Sequence, residues 1–303
     1  MMASFAVRLL FTTLRLIPVQ LLGAFGAGFG RMAYYLDARH RQIAMRNLNR
    51  IYPDRSDAWK RKISRESFAE LGRTCFELPH VYLRSKPFLL SRIKIENEQV
   101  LRQAESLGKG VILTACHHSN WELGALCMSM LGHHTEVMYR TVRQPALDHF
   151  VLQARSRFGA KLRARDAGLR WVPRALKNNR CVAIMVDQHL SSGTPVPFLG
   201  HEALTTTMPA IFTNKYHTPV VGVQLHRIGR GFHFRLKFCA IPVDEQLTDE
   251  VETMQVICDS FAPMIHQRPE LWLWIHSRWL YLDEKEQGEQ GRDEQNRKNQ
   301  EQV

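Results

Sequence analysis

The sequence predicts an α/β fold: a mixed central β-sheet flanked by helices, preceded by a membrane-associated helical segment. Three observations predict it. Short apolar runs, Val111 to Ala115 and Cys181 to Val186 foremost, alternate with longer helical patterns. The chain's 303 residues are 45% hydrophobic, enough to bury one large core and support an appendage. Residues 2 to 36 carry only Arg8, Arg15 and Arg31 as charges.

Within those first residues the longest uncharged run, Leu16 to Gly30, is 15 residues with Pro18 near its start. A spanning helix needs about 20 apolar residues. Residues 1–36 are therefore expected to anchor the chain in one of two ways. They span if Arg15 or Arg31 snorkels, or they lie in the interface as a hairpin bent at Pro18. Residues 37–282 form the main domain. It opens with Arg39 to Pro53, where Ile43, Ala44, Leu48 and Ile51 trace an apolar stripe and arginines line the other side, a cationic helix suited to anionic headgroups.

A longer helix follows over 56–83, capped by Ser56 and ended near Pro79 or Pro87, then another over 98–107. Strand 111–115 is entered through the turn signal Gly108-Lys109-Gly110. Next come helix 121–131, strand 136–140, helix 146–158, strand 161–164, helix 169–177 and strand 181–186. Gly193, Pro195 and Pro197 mark 187–200 as a constrained loop. Thr205 to Thr207 with Pro209 open a helix, and 219–225 with 231–239 form a hairpin around Gly229-Arg230-Gly231. A helix over 248–264 and an aromatic closing element, Trp272 to Trp279, end the domain. Residues 283–303, rich in Gln, Glu, Asn and Lys, are expected to be a disordered polar tail.

The formal net charge is +12, and because the tail is acidic the body carries +15. Such a surface suits nucleic acid, an acidic carrier protein or an anionic membrane. No zinc-finger spacing, RNP-like motif or helix-turn-helix signature supports nucleic acid. Six scattered cysteines without a C-x-x-C pair read as reduced thiols, with Cys116 a packing residue at a strand end.

The chemistry concentrates after strand 111–115, where the sequence reads His117-His-Ser-Asn-Trp-Glu122. Asn120 is a good N-cap for a helix beginning at Trp121. On one continuous helix His117 and Glu122 would point about 140° apart. With His117 in the loop and Glu122 in the first helical turn the two can meet, and a carboxylate there would fix the imidazole tautomer of a general base. The loop after the carboxyl end of an α/β strand is where such sheets hold ligands.

These residues resemble the H-x-x-x-x-[DE] motif of membrane acyltransferases, and further blocks resemble the bacterial lipid A late acyltransferases, the lauroyl and myristoyl transferases. Those blocks are Arg39 to Pro53, Tyr139-Arg140 with Pro145 and Asp148, Asp187-Gln188, the Pro-Phe-Leu-Gly loop with its Thr run, and Trp274-Ile-His-Ser-Arg278. The resemblance covers nearly the whole chain outside the tail. It implies a glycerol-3-phosphate acyltransferase-like sheet and an O-acyltransferase at the cytoplasmic face of the inner membrane. The donor would be acyl carrier protein or acyl-coenzyme A, and the acceptor a hydroxyacyl chain of a lipid A precursor. No nucleic acid, metal or redox cofactor is implied.

On this resemblance His117 is the general base, Glu122 its orienter and Arg140 the group facing the developing oxyanion or a lipid phosphate. Asn120, Tyr139, Asp187, Gln188 and Arg278 are substrate-side candidates, with Asp187 expected to position Arg140 or a loop amide. A lysophosphatidate-type phosphate motif is absent where Asp187-Gln188-His189-Leu190 stands. A phosphatidylinositol mannoside-type acceptor remains an alternative. A metal hydrolase site from His117, His118, His133 and His134 matches no metal spacing. A non-catalytic basic membrane-binding relative is countered by the intact His-Glu pair.

Overall fold

The computed structural model describes residues 2–286, apart from 166, 167 and 245. Two apolar helices come first, α1 (Met2–Leu14) and α2 (Val19–Leu36), meeting at 108° across a break where Pro18 begins the second. No single helix among the described residues is long and apolar enough to cross a membrane. The basic helix α3 (Ala38–Ile51) starts on Asp37, whose side chain accepts from the His40 N–H at 3.0 Å. The long helix α4 (Asp57–Leu83) starts on Ser56 as expected and continues through Pro79 rather than stopping there. Along α4 lies α2, its face of Gly23, Gly26, Ala27 and Gly30 buried. An ideal Cβ at Gly30 would stand 2.1 Å from the Phe68 carbonyl oxygen, so only glycine permits this approach.

The sheet elements then alternate: α5 (Lys86–Leu90), β1 (Ile93–Glu96), α6 (Glu98–Ser106), β2 (Val111–Ala115), α7 (Trp121–Met130), β3 (Thr135–Tyr139), α8 (Pro145–Ser156), β4 (Lys161–Ala164), α9 (Trp171–Lys177) and β5 (Cys181–Met185). A small antiparallel pair, β6 (Thr194–Phe198) and β7 (His201–Thr205), precedes α10 (Met208–Tyr216), β8 (Val220–Arg227), β9 (Phe234–Ile241), α11 (Glu250–Asp259) and α12 (Ala262–Gln267). Seven strands form one sheet in the order β1-β9-β8-β2-β5-β3-β4, with only β8 and β9 paired antiparallel. The expected mixed α/β architecture is therefore the one found.

The central strand β2 lies between β8 and β5. Its Ile112 joins one apolar cluster with Val182, Ile184 and the three tryptophans Trp272, Trp274 and Trp279, while Val111 and Leu113 join the other with Leu123 and Val223. That alternation is the two-residue period of a strand covered on both faces.

Several local expectations change. The constrained loop 187–200 contains β6 and half of a hairpin, turning at Leu199 and Gly200, both at positive φ. The helix over 248–264 is broken into α11 and α12 at Ser260 and Phe261. Trp272 to Trp279 form no regular element, only an isolated bridge between His118 and Trp272 followed by turns. Arg46 and Arg50 of α3 pair with Asp283 at 2.8 and 2.9 Å, Arg46 staying exposed and Arg50 largely covered. Residues 280–286 are helical, so the first four residues of the expected tail belong to the body, and 287–303 lie outside the described residues.

Candidate active site

Strand register builds the centre of the site. Ala115 of β2 lies opposite Met185 of β5 in a parallel pair. Two residues beyond each, at the carboxyl edge of the sheet, stand His117 and Asp187. The Asp187 carboxylate receives three N–H groups. His117 Nδ1 lies 2.8 Å from Oδ1, while the His117 backbone N–H and the Trp272 indole N–H donate to Oδ2 at 2.7 and 2.8 Å. Burial pushes this carboxyl up, but His117 beside it and the three N–H groups outweigh burial and hold it below the usual carboxylate range. An ionised Asp187 fixes the neutral imidazole as the Nδ1–H tautomer. Nε2 then keeps its lone pair, 3.3 Å from the exposed Gln188 amide nitrogen. The His117 side chain is 15% exposed and that of Asp187 1%, so the imidazole can be reached and the carboxylate behind it cannot.

The loop carrying His117 is bonded at nearly every step. Leu273 N–H donates to His117 O, Ser119 N–H to Leu271 O, and Thr74 Oγ1 to Ser119 O. Ser119 adopts a left-handed backbone, φ 56°. Asn120 caps α7 as predicted, its Oδ1 accepting the Leu123 N–H at 3.1 Å, and its amide donates to buried Glu77 at 2.9 Å. His118 points into the interior between the carbonyls of Leu225 and Arg268, and burial pushes its pKa down to about 3. Among the described residues no group of His, Cys, Asp and Glu side chains is arranged to hold a metal.

Glu122 does not meet His117. Its carboxylate accepts from the Tyr82 hydroxyl at 2.8 Å and from Arg155 through both Nε and Nη2. The first turn of α7 faces α4 and α8, whereas Asp187 arrives from the neighbouring strand. The expected His117–Glu122 hydrogen bond is thus replaced by His117–Asp187. Asp187 does hold a loop amide, that of His117, and does not bond Arg140.

The remaining candidates divide in two. Tyr139 ends β3 and Arg140 follows it; β3 pairs with β5 on the side away from β2, placing both residues on the same edge of the sheet as His117. Arg140 is exposed and makes no hydrogen bond or ion pair among the described residues. Arg278 is fully buried and ties the site together, donating to Gln188 O, Leu204 O and Thr205 Oγ1 at 3.0, 2.9 and 2.6 Å. It holds the Asp187-Gln188 backbone and is shut away from any ligand. Tyr82 and Arg155 went unrecognised in the sequence, and Trp272 stood there only as a packing residue of the closing element, since their partners are distant along the chain.

Beside this centre runs an apolar slot of about 70 Å³ between the sheet and α7, lined by Ala115, Cys116, Trp121, Met128, Met138 and Leu225 among others. The Trp121 ring stands edge-on to the His117 ring, centroids 5.2 Å apart. The site thus combines an accessible imidazole, a buried carboxylate behind it and an apolar slot beside it, all at one edge of the sheet, the arrangement of a candidate active site.

A profile of the bacterial lipid A biosynthesis acyltransferases matches residues 1–281. The chain is similar to the lipid A biosynthesis palmitoleoyltransferase of Escherichia coli K12, 24% identical over 270 residues that cover 87% of this chain and 86% of the relative. It is similar to the lauroyltransferase of that organism, 23% identical with the same coverage, and to its myristoyltransferase, 25% identical over 144 residues, 48% and 45% of the two chains. The chain belongs to the bacterial lipid A biosynthesis acyltransferase family and is an enzyme of that family.

Proposed function

We propose that the protein moves a fatty acyl group from acyl carrier protein, or acyl-coenzyme A, to the hydroxyl of a hydroxyacyl chain on a lipid A precursor, at the cytoplasmic face of the inner membrane. The observation that carries the reading is the His117–Asp187 pair at 2.8 Å. His117 Nε2 takes the acceptor hydroxyl's proton as the oxygen attacks the thioester carbonyl. The tetrahedral adduct then expels the carrier's sulfur, which receives that proton from the imidazolium and leaves as the thiol. Asp187 stabilises the imidazolium in between. Arg140, unpaired and at the same sheet edge, faces the negative charge developing on the thioester oxygen or a lipid A phosphate. Tyr139 and Gln188 flank the acceptor, and the slot beside Trp121 takes part of an acyl chain.

Glu122 supports the site through Arg155 and Tyr82. The apolar helices α1 and α2 attach the enzyme to the membrane. The body's charge of +15 draws both an acidic carrier and the phosphates of the acceptor.

Comparing lipid A by mass spectrometry from cells with and without the protein tests the acceptor: one added acyl chain is expected, and identical spectra refute it. In purified enzyme His117→Ala should lose ~10²–10⁴-fold in turnover with an unchanged melting temperature. Wild-type turnover in that variant would remove His117 from the chemistry.

A further inference from the structure

Residues 5–36 hold eleven of the fifteen large hydrophobic side chains that are exposed among the described residues. In α2 they form one stripe, Leu21, Phe25, Phe29, Met32 and Leu36, opposite the glycine face packed on α4. The helix is therefore apolar all round, and half of it is uncovered, a condition that water does not favour. Its single charge, Arg31, is spent on a two-point contact with Glu66 of α4 at 3.1 and 2.7 Å.

Placed end to end, α1 and α2 have the length and composition of one span. The corner between them is bonded shut, however. Arg15 donates to the Leu83 carbonyl at 3.1 Å, Arg84 to the Arg15 carbonyl at 3.2 Å, and His80 Nε2 lies 2.9 Å from the Ile17 carbonyl oxygen. Beyond the corner, the Phe11 ring packs on Phe150 of α8 with centroids 4.6 Å apart. A crossing α2 would also carry its α4 partner into hydrocarbon, with Lys62, Arg65 and Glu66.

Resting on the membrane attachment proposed above, we propose that α1 and α2 lie flat in one leaflet, so that the enzyme is monotopic, with its N-terminus on the same side as the sheet. The occupant of the exposed stripe is the hydrocarbon of that leaflet. Exposed Arg8 and Arg39 meet its anionic headgroups, and a shallow groove of about 520 Å³ between Phe29, Met32, Leu36 and Arg39 faces the same lipid. Residues 2–36 contain no acid, and Asp37 at the edge of the groove is engaged by the N–H and imidazole of His40, so a second copy of this face would bring Arg8 and Arg39 against cations with no free carboxylate to meet them.

Two measurements on the full chain test this. Peptide tags ahead of Met1 and behind Val303 are exposed to protease in sealed right-side-out and inverted membrane vesicles. Both tags should be cut from the same side, and cleavage from opposite sides overturns the proposal. Purified protein is also floated with vesicles of phosphatidylethanolamine and phosphatidylglycerol. Leu21→Glu combined with Leu36→Glu, both on the exposed stripe, should weaken binding by ~10-fold or more because the buried apolar area drives it. Unchanged vesicle binding, or a variant that only converts a dimer to a monomer, overturns it. Acyl transfer to a detergent-dispersed acceptor by the wild-type enzyme is read separately. Its absence would strike the acyltransferase mechanism and leave the topology result standing.

Discussion

Asp187→Asn separates the orienting role of Asp187 from simple packing. In the native site Oδ2 accepts two donors, the His117 amide and the Trp272 indole, and Oδ1 faces His117 Nδ1. Asparagine has one carbonyl oxygen. Keeping it at the two-donor position turns the NH₂ group toward Nδ1, which must then give up its proton and accept. The proton moves to Nε2, and the imidazole loses the lone pair that the proposed reaction uses. The opposite flip sets NH₂ against two N–H groups and is worse. Inverting a tautomer in a comparable pair costs ~10³–10⁴ in kcat, about 4–5.5 kcal/mol of barrier. The assay is single-turnover acyl transfer with saturating donor, paired with a melting curve. A folded Asp187→Asn enzyme within about threefold of wild type, under 1 kcal/mol, would refute the assignment of Nε2 as base.

Other perturbations follow from packing and charge. Glu122→Ala strands Arg155, whose side chain is 23% exposed, so the cost should fall at the lower side of that for a broken buried pair, about 2–4 kcal/mol, read by denaturant unfolding; wild-type stability would discard the pair. Gly30→Ala puts a methyl 2.1 Å from the Phe68 carbonyl and should destabilise by about 1–3 kcal/mol, whereas an unchanged midpoint would mean that α2 is free to move away. Burial holds His118 down to about 3 and His226 and His276 down to about 4. The unfolded chain then binds more protons below about pH 6.5, so stability should fall on acidification from there toward pH 4. Replacing His118 with Asn should flatten that limb of the melting temperature against pH, and an undiminished slope would contradict its neutral burial.

The sheet was legible because its strands are local patterns: β2 and β4 fall on the predicted residues, and β3 and β5 within one residue. Strand order was not. His117 and Asp187 are 70 residues apart and adjacent only because β5 lies beside β2, so nearness in sequence favoured Glu122, five residues away. The same reason hid Arg155 and Trp272. Asn120 was readable as a cap because capping is a contact within one turn. Pro195 and Pro197 disguised β6, and a two-stranded ribbon tolerates them because each strand has a free edge. The pairing of Arg46 and Arg50 with Asp283 was equally hidden, because nothing local reveals a partner more than 230 residues away.

Buried ions explain what holds the loop that carries His117. Arg227, 1% exposed, bonds Glu70 at 2.7 and 3.0 Å and Glu77 at 2.7 and 2.8 Å. Apolar side chains of equal volume would often serve stability as well or better, since desolvating three charges offsets most of their attraction. They could not bond the loop, though. Glu77 also accepts from Asn120, and Ser119 Oγ lies 3.4 Å from Glu70, so the two residues that carry the chain from His118 into α7 rest on these carboxylates. Ser119 at φ 56° carries a strain of about 1–3 kcal/mol that persists only where surrounding bonds over-determine it. The network therefore contributes geometry more than stability. It fixes the turn after β2, and with the bond from Leu273 to the His117 carbonyl it holds the His117 backbone where the imidazole meets Asp187.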